Sequence, residues 1–357
     1  MNWSPRRLLA TAVVVATAAL QPVAADAAYS GLVVFGDSLS DAGSNATLGL
    51  YAPGQVVTDN SYVATSAYAA ATYSNGPIWA TYLGGLLGLP LNRSWLQGGT
   101  DYANGGARMS APGIGPFGYP FSLKTQSSIY LSSVGGRAPA DALYVVAGGG
   151  NDARDAIDSI AALDLADPTQ ANTALSIFAD TAQSIVLGLA SVVDNLYAAG
   201  ARNIVVWNLP NLGLVPSAET PYEEAIGTAI ASGLNEIIEA YLATKPVTLF
   251  DVFDVSSIVA SYGSALGLTN VTDACGAAPV GTDCNQYMWW DGIHPTTMAH
   301  ALIGLVLADQ LGAVAARPAG LALSAPVPAE VGAPAAAWLF AAAVAGLGLA
   351  RGRRRRA

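Results

Sequence analysis

Histidine is scarce in this chain of 357 residues: there are two, His294 and His300. Any imidazole that moves a proton near neutral pH must be one of them. His294 lies in "WWDGIHPTT" (289–297), three residues after Asp291 and just before Pro295. A D-x-x-H turn can fold the carboxylate onto one ring nitrogen. That fixes the tautomer and leaves the other nitrogen for a hydroxyl. A hydroxyl stands at Ser38 in "VVFGDSLSDAGSN" (33–45), where an apolar run stops at Gly36 and Asp37 and Ser38 follow at once. Serine, histidine and aspartate together can perform nucleophilic acyl transfer. That chemistry also needs donors for the oxyanion of a tetrahedral intermediate. "ANGGAR" (103–108) offers glycine N–H groups and Asn151, in "GGGND", offers a side-chain amide. His300, flanked by Ala299 and Ala301 inside the helical stretch that follows, is assigned to the core or the surface.

These residues are far apart in the chain, so secondary-structure elements must gather them. "SGLVVFG" (30–36) is a continuous apolar run ended by glycine, the pattern of a buried parallel strand. Similar runs occupy 141–149, 201–210 and 246–253. Helical patterns fall at 78–87, 172–199, 220–243 and 298–311, and the long stretch 46–100 is otherwise rich in Tyr, Asn and Gly loops. Strands alternating with helices predict a parallel sheet covered on both faces. Ligands bind beyond the carboxyl ends of such strands. The strands at 30–36 and 141–149 then deliver Ser38 and Asn151 to one sheet edge. "SLSD" (38–41) also fits a capping box, with Asp41 reaching back, so a helix is expected to start at Ser38. Its dipole would favour negative charge near the serine N–H.

Four blocks in this order resemble the SGNH, or GDSL, hydrolases: "GDSLSDAGSN", "DYANGGA", "GGGND" and "DGIHPT". "YSNGPIWATYL" (73–83) is similar to a stretch common in the lipase-like bacterial branch. The resemblance runs from about Ser30 to Leu311. It implies a three-layer α/β/α sandwich with a mainly parallel, flavodoxin-like sheet. It also implies a Ser38–His294–Asp291 triad, and an oxyanion hole from the N–H groups of Ser38 and Gly106 and the amide of Asn151. Gly105 is the alternative to Gly106. Ser44 is inserted before Asn45, where the family usually has D-x-G-N. The implied activity is carboxylic ester hydrolysis through an acyl-enzyme, with no cofactor or metal. A polysaccharide O-acetylesterase and a non-catalytic matrix protein that keeps the fold are the other readings.

The ends address the chain to the envelope. Arg6 and Arg7 precede the 13-residue apolar run Leu8–Leu20, and an A-x-A site follows at Ala25–Ala27, so 1–27 reads as a signal peptide. Residues 28–315 then form one hydrolase domain and the Pro- and Ala-rich stretch 316–330 a linker. Within 331–357, twenty uncharged residues (Val331–Ala350) are long enough to span a bilayer and five arginines follow. The tail resembles the PEP-CTERM sorting signals of Gram-negative bacteria in their V-P-L-P-A form, with Gly332 in place of the first proline. That implies a sorting protease of the exosortase type as partner, transient residence in the inner membrane, and release to the surface or medium. A simple tail anchor is the alternative. Between Ala28 and Ala325, eight Lys and Arg face 23 Asp and Glu, a net charge of −15 that repels nucleic acid. Cys275 and Cys284, with eight residues between them, are expected to pair in an oxidising compartment.

The tail reading makes a prediction. In a host without the sorting protease the chain should stay membrane-bound at full length. In the native host, intact-mass analysis of the surface or secreted fraction should find a product lacking "RGRRRR". Full-length chain in that mature fraction would leave only a simple anchor.

Overall fold

The computed structural model describes residues 29–90 and 92–313. The signal peptide, linker, span and sorting tail expected from the sequence lie outside them. Four strands, β1 (Leu32–Gly36), β2 (Leu143–Ala147), β3 (Asn203–Trp207) and β4 (Thr248–Phe250), form a parallel sheet in the order β1-β2-β3-β4. Residues 100–102 run along the free edge of β1: Val34 donates its N–H to Thr100 O and accepts from the Tyr102 N–H. Counted as a rudimentary strand, this segment completes the flavodoxin-like order 2-1-3-4-5.

The apolar runs become strands because both faces of the sheet are covered. Side chains alternate along a strand. Val33, Phe35, Tyr144, Val146, Ile204 and Val206 therefore enter one buried cluster. Leu32, Val34, Leu143, Val145, Val205 and Trp207 enter another on the opposite face. The first cluster is roofed by α3 (Leu123–Ser133), α4 (Gly150–Ala161), α5 (Pro168–Ala199) and α6 (Pro221–Leu242). The second is roofed by α2 (Trp79–Leu86), α7 (Val252–Tyr262) and α8 (Thr297–Gln310). This is a three-layer sandwich. A short α1 (Ser44–Thr47) precedes these, and a parallel pair, β5 (Asn270–Ala274) and β6 (Tyr287–Trp289), lies outside the main sheet.

Local chemistry sets the helix ends. Asp167 caps α5 before Pro168, and Gly200, at φ 117°, ends it in the left-handed region. By length and composition α5 could cross a membrane, but its Phe178, Ile185, Leu189, Val192 and Leu196 are core residues. Thr220 and Glu223 make a reciprocal capping box on α6. Helices α2 and α8 meet at Gly304, where a Cβ would come within 2.8 Å of the Trp79 carbonyl oxygen. A larger side chain there would push apart the two helices behind the His294 turn.

One local expectation is corrected. No α-helix begins at Ser38. Residues after β1 form a tight turn in which Asp37 accepts the Leu39 N–H on its side chain (3.1 Å) and the Ser40 N–H on its carbonyl (3.1 Å). Asp41 does not reach back to Ser38, because four other backbone N–H groups hold its carboxylate. The helix that starts at this edge is α4, immediately after Gly149, so Asn151 sits in a first helical turn and not in a loop.

Candidate active site

Register aligns the strand tips. Gly36 pairs with Ala147, so Asp37–Ser38 and Gly148–Asn151 leave the sheet side by side. The end of β1 is fixed by Gln126, whose side chain accepts the Gly36 N–H (2.9 Å) and donates to Gly36 O (2.8 Å). Gly36 must be glycine: a Cβ would lie 2.7 Å from Ala147 O and 2.8 Å from Ser40 Cβ.

Against this corner stands the turn after β6. Ser38 Oγ is 2.9 Å from His294 Nε2, although 256 residues separate them. On the other side of the ring, His294 Nδ1 is 2.8 Å from Asp291 Oδ2 and 3.0 Å from Oδ1. With the proton on Nδ1 facing the carboxylate, Nε2 is free to accept from the serine hydroxyl. Asp291 is fully buried. It also accepts hydrogen bonds from the backbone of Ile293 and His294 and from the Tyr68 hydroxyl (2.7 Å). Burial alone would raise its carboxyl, but the His294 ring and these donors together hold it below the ordinary value. Asp37, beside the serine, is pushed up to about 6 by burial, which outweighs the Leu39 N–H and the nearby His294 and Arg154.

The turn carrying His294 is braced from several directions. Trp290 N–H donates to His294 O (2.7 Å) and Thr296 N–H to Met288 O (2.9 Å), closing a tight loop. "YSNGP" supplies the remaining grip. Ser74 Oγ donates to Pro295 O (2.8 Å), Asn75 Oδ1 accepts the Thr297 N–H (2.8 Å), and Thr297 Oγ1 donates to Pro77 O (2.9 Å). The Tyr73 ring lies 5.2 Å from the imidazole, centre to centre. Cys275 and Cys284 are joined, with Cα atoms 5.6 Å apart, in the loop leading from β5 into β6.

The glycine loop at 103–107 packs against the end of β1, where the Asn104 N–H donates to Gly36 O (3.1 Å). Gly105 donates its N–H to Asp41 Oδ2 (2.9 Å), and Asn45 Nδ2 donates to Gly105 O (3.2 Å). A Cβ on Gly105 would fall 2.4 Å from the Tyr73 ring. The Gly105 N–H is therefore already engaged, and Gly106 beside it sits at φ 82°. Asn151 Nδ2 donates to Ala107 O (2.9 Å), tying α4 to this loop. An amide has two N–H groups, so this bond leaves one.

Two residues of the site were not singled out in the sequence reading for these contacts. Tyr68 supports Asp291 across 223 residues, and nothing local marks it. Asp41 had a visible signal, an acid three residues after Ser38, but its partners are Gly43, Ser44, Asn45 and Gly105 at 2.9, 2.6, 3.2 and 2.9 Å. Ser44 and Asn45 thus belong to the clamp, and Tyr119 donates to Asn45 Oδ1. His300 is buried in α8, and the imidazole against Ser38 Oγ is that of His294. Beyond Ser38 and His294 opens a pocket walled largely by apolar residues that include Val252, Val255, Val259 and Ile303.

Comparison with known proteins gives the same direction. The family model described as GDSL-like lipase/acylhydrolase matches residues 32–307. An uncharacterized protein of the trpE-trpG intergenic region of Pseudomonas putida is 29% identical over 314 residues, 81% of this chain and 49% of its own length. A GDSL esterase/lipase of Arabidopsis thaliana is 24% identical over 323 residues, covering 77% of this chain and 85% of its own. The chain spans about half or less of the length of the first two curated relatives it matches. Among solved structures, a carbohydrate acetylesterase from Sinorhizobium meliloti, Est24, has a TM-score of 0.41 at 16% identity, covering 79% of this chain and 98% of its own. An aryl esterase of M. smegmatis has a TM-score of 0.43 at 16% identity, covering 79% and 97%.

The clamp is testable. Asp41→Ala strands four buried N–H groups, each costing about 1–3 kcal/mol when unsatisfied. Urea unfolding should show a loss of about 3 kcal/mol or more. A loss below about 1 kcal/mol would mean that the 103–107 loop is held by other contacts.

Proposed function

This chain belongs to the GDSL-like lipase/acylhydrolase family, and from that premise we propose that it is a serine carboxylic ester hydrolase. The observation that carries the reading is the continuous line Ser38 Oγ, His294, Asp291, with contacts of 2.9 and 2.8 Å. Ser38 attacks the ester carbonyl while His294 Nε2 takes its proton, and Asp291 stabilises the imidazolium that forms. The N–H groups of Ser38 and Gly106 and the free amide hydrogen of Asn151 receive the oxyanion. His294 then protonates the leaving alcohol. In the second half, water attacks the acyl-enzyme with His294 again as base.

The pocket favours a substrate with an apolar acyl group over acetyl. Burial of each methylene contributes about 0.8 kcal/mol, so a chain of eight or ten carbons gains far more from these aliphatic walls than an acetyl group does. Lipid or another long-acyl ester therefore fits better than acetylated glycan. The signal peptide and sorting tail support an exported enzyme, processed by an exosortase-type protease and acting at the surface or outside.

On p-nitrophenyl esters of two to twelve carbons, kcat/KM should rise with chain length to at least eight carbons. Ser38→Ala and His294→Ala should each lose at least about 10⁴-fold in kcat, because triad members act as a unit. A Ser38→Ala protein with near wild-type turnover would remove serine catalysis. Asn151→Ala should lower kcat by roughly 10²–10³-fold with KM little changed, as for an oxyanion donor. An effect confined to KM would make Asn151 a ground-state binding residue.

A further inference from the structure

Two large apolar side chains stand almost wholly in water on one short loop. Ile114 is 107% exposed and Phe117 is 99% exposed. Both lie at the tip of "APGIGPFGYP" (111–120). Backbone hydrogen bonds close this segment on itself: the Gly113 N–H donates to Gly118 O (2.9 Å) and the Gly115 N–H to Tyr119 O (2.9 Å). Phe117 sits at φ 58° and ψ 18°, in the left-handed region. That conformation is unfavourable for a bulky residue with a Cβ, and an exposed ring has no packing to offset the cost. Neither strain nor exposure helps the fold, so the side chain serves something outside it.

The loop is anchored at the active-site edge. Tyr119 donates to Asn45 Oδ1, and Asn45 Nδ2 donates to the Tyr73 hydroxyl (2.6 Å). The Tyr73 ring is in turn 5.2 Å from that of His294. Asn45 is also the root of a second apolar segment. Its carbonyl accepts the Leu50 N–H (2.8 Å), and Leu48, Leu50, Tyr51 and Val56 are all exposed, Val56 by 69%. Charge avoids this part of the chain. From Ala42 to Leu123 the charged residues are Asp59, Arg93, Asp101 and Arg108. Of these, Asp101 is buried and Arg108 is paired with Asp155.

We propose that these two loops, led by Ile114 and Phe117, dock the protein on a neutral lipid surface. The proposal rests on the ester-hydrolase reading, because the long-acyl esters that suit the apolar pocket gather in water as droplets or bilayers. A fluid hydrocarbon phase takes up isolated, projecting side chains whatever their shape, whereas a protein interface needs packed, complementary area. Uncharged loops enter that phase without stripping water from ions. The chain beyond the domain leads the same way, since residues 314–330 join it to the uncharged run Val331–Ala350.

Both native cysteines are joined in the disulfide, so one engineered thiol can carry a polarity-sensitive fluorophore on the full chain. A label on Ile114→Cys should shift to the blue when phosphatidylcholine vesicles are added. Nitroxides on the lipid tails should quench it. Ala198 is exposed at the end of α5 that leads into β3, at the opposite edge of the sheet. A label on Ala198→Cys should show neither change, which separates insertion of the tip from attachment through Val331–Ala350. The double variant Ile114→Ser/Phe117→Gly removes both side chains, and glycine holds φ 58° without strain. It should unfold in urea no earlier than the wild type and hydrolyse dissolved p-nitrophenyl butyrate equally fast. On emulsified trioctanoin it should be about tenfold or more slower.

An Ile114 label that stays in water beside vesicles would overturn the proposal and leave the hydrolase reading intact. So would an undiminished rate on trioctanoin, or a double variant that fails to fold. A label buried by self-association without lipid would assign the tip to a second copy and overturn it as well. Inactivity of the wild type on both esters would remove the hydrolase reading, while the fluorescence would still decide whether the tip enters lipid.

Discussion

Ser38 Oγ and His294 Nε2 meet at 2.9 Å, and most of the fold answers to that distance. Reacting groups displaced by about 1 Å can lose on the order of 100-fold in rate. The two residues come from opposite ends of the domain, so the error has to be suppressed from both sides. On the serine side, the parallel register of β1 on β2 sets the height of the turn and Gln126 closes the last backbone groups of the strand. On the histidine side, α8 is pressed on α2 at Gly304. Residues 73–77 grip the backbone on the far side of Pro295.

The glycine loop depends on a buried carboxylate. Asp41 takes one N–H from the glycine loop and three from the start of α1. It thereby links the segment after Ser38 to the 103–107 loop. Burial outweighs these donors and pushes the carboxyl up to about 6. Rigidity here is bought with an awkward charge. Asn45 and Tyr73 extend the same link toward the imidazole through a 2.6 Å hydrogen bond and a ring contact.

The sheet was legible because burial on both faces writes itself as unbroken apolar runs, and the four strands of the main sheet fall inside the expected stretches. Helices α2, α5, α6 and α8 were legible from three- and four-residue spacing. Helix α3, "LKTQSSIYLSS", was not, since its serines and threonine blur the period. Helix α4 was hidden by the charge and glycine of "GGGNDARD". The contact of Ser38, His294 and Asp291 could be anticipated because only two histidines exist and one follows an aspartate at turn spacing. Local pattern misled at Ser38: a capping box is judged from four residues, but Asp41's partners include Gly105, 64 residues away. Tyr68's hydrogen bond to Asp291 depends on tertiary placement, which no spacing records.

The 256 residues between the two halves of the Ser38–His294 contact also put a clock on the molecule. At about 5–20 residues per second, synthesis delivers the serine roughly 13–50 s before the histidine. Every truncated or still-growing chain in that interval holds Ser38 without its imidazole partner. Strand β1 has no hydrogen-bonded neighbour from the main sheet until β2 at residue 143 emerges. Under the proposed mechanism the nascent chain is thus chemically silent through nearly all of its manufacture, and activity would appear as an all-or-none property of the finished domain.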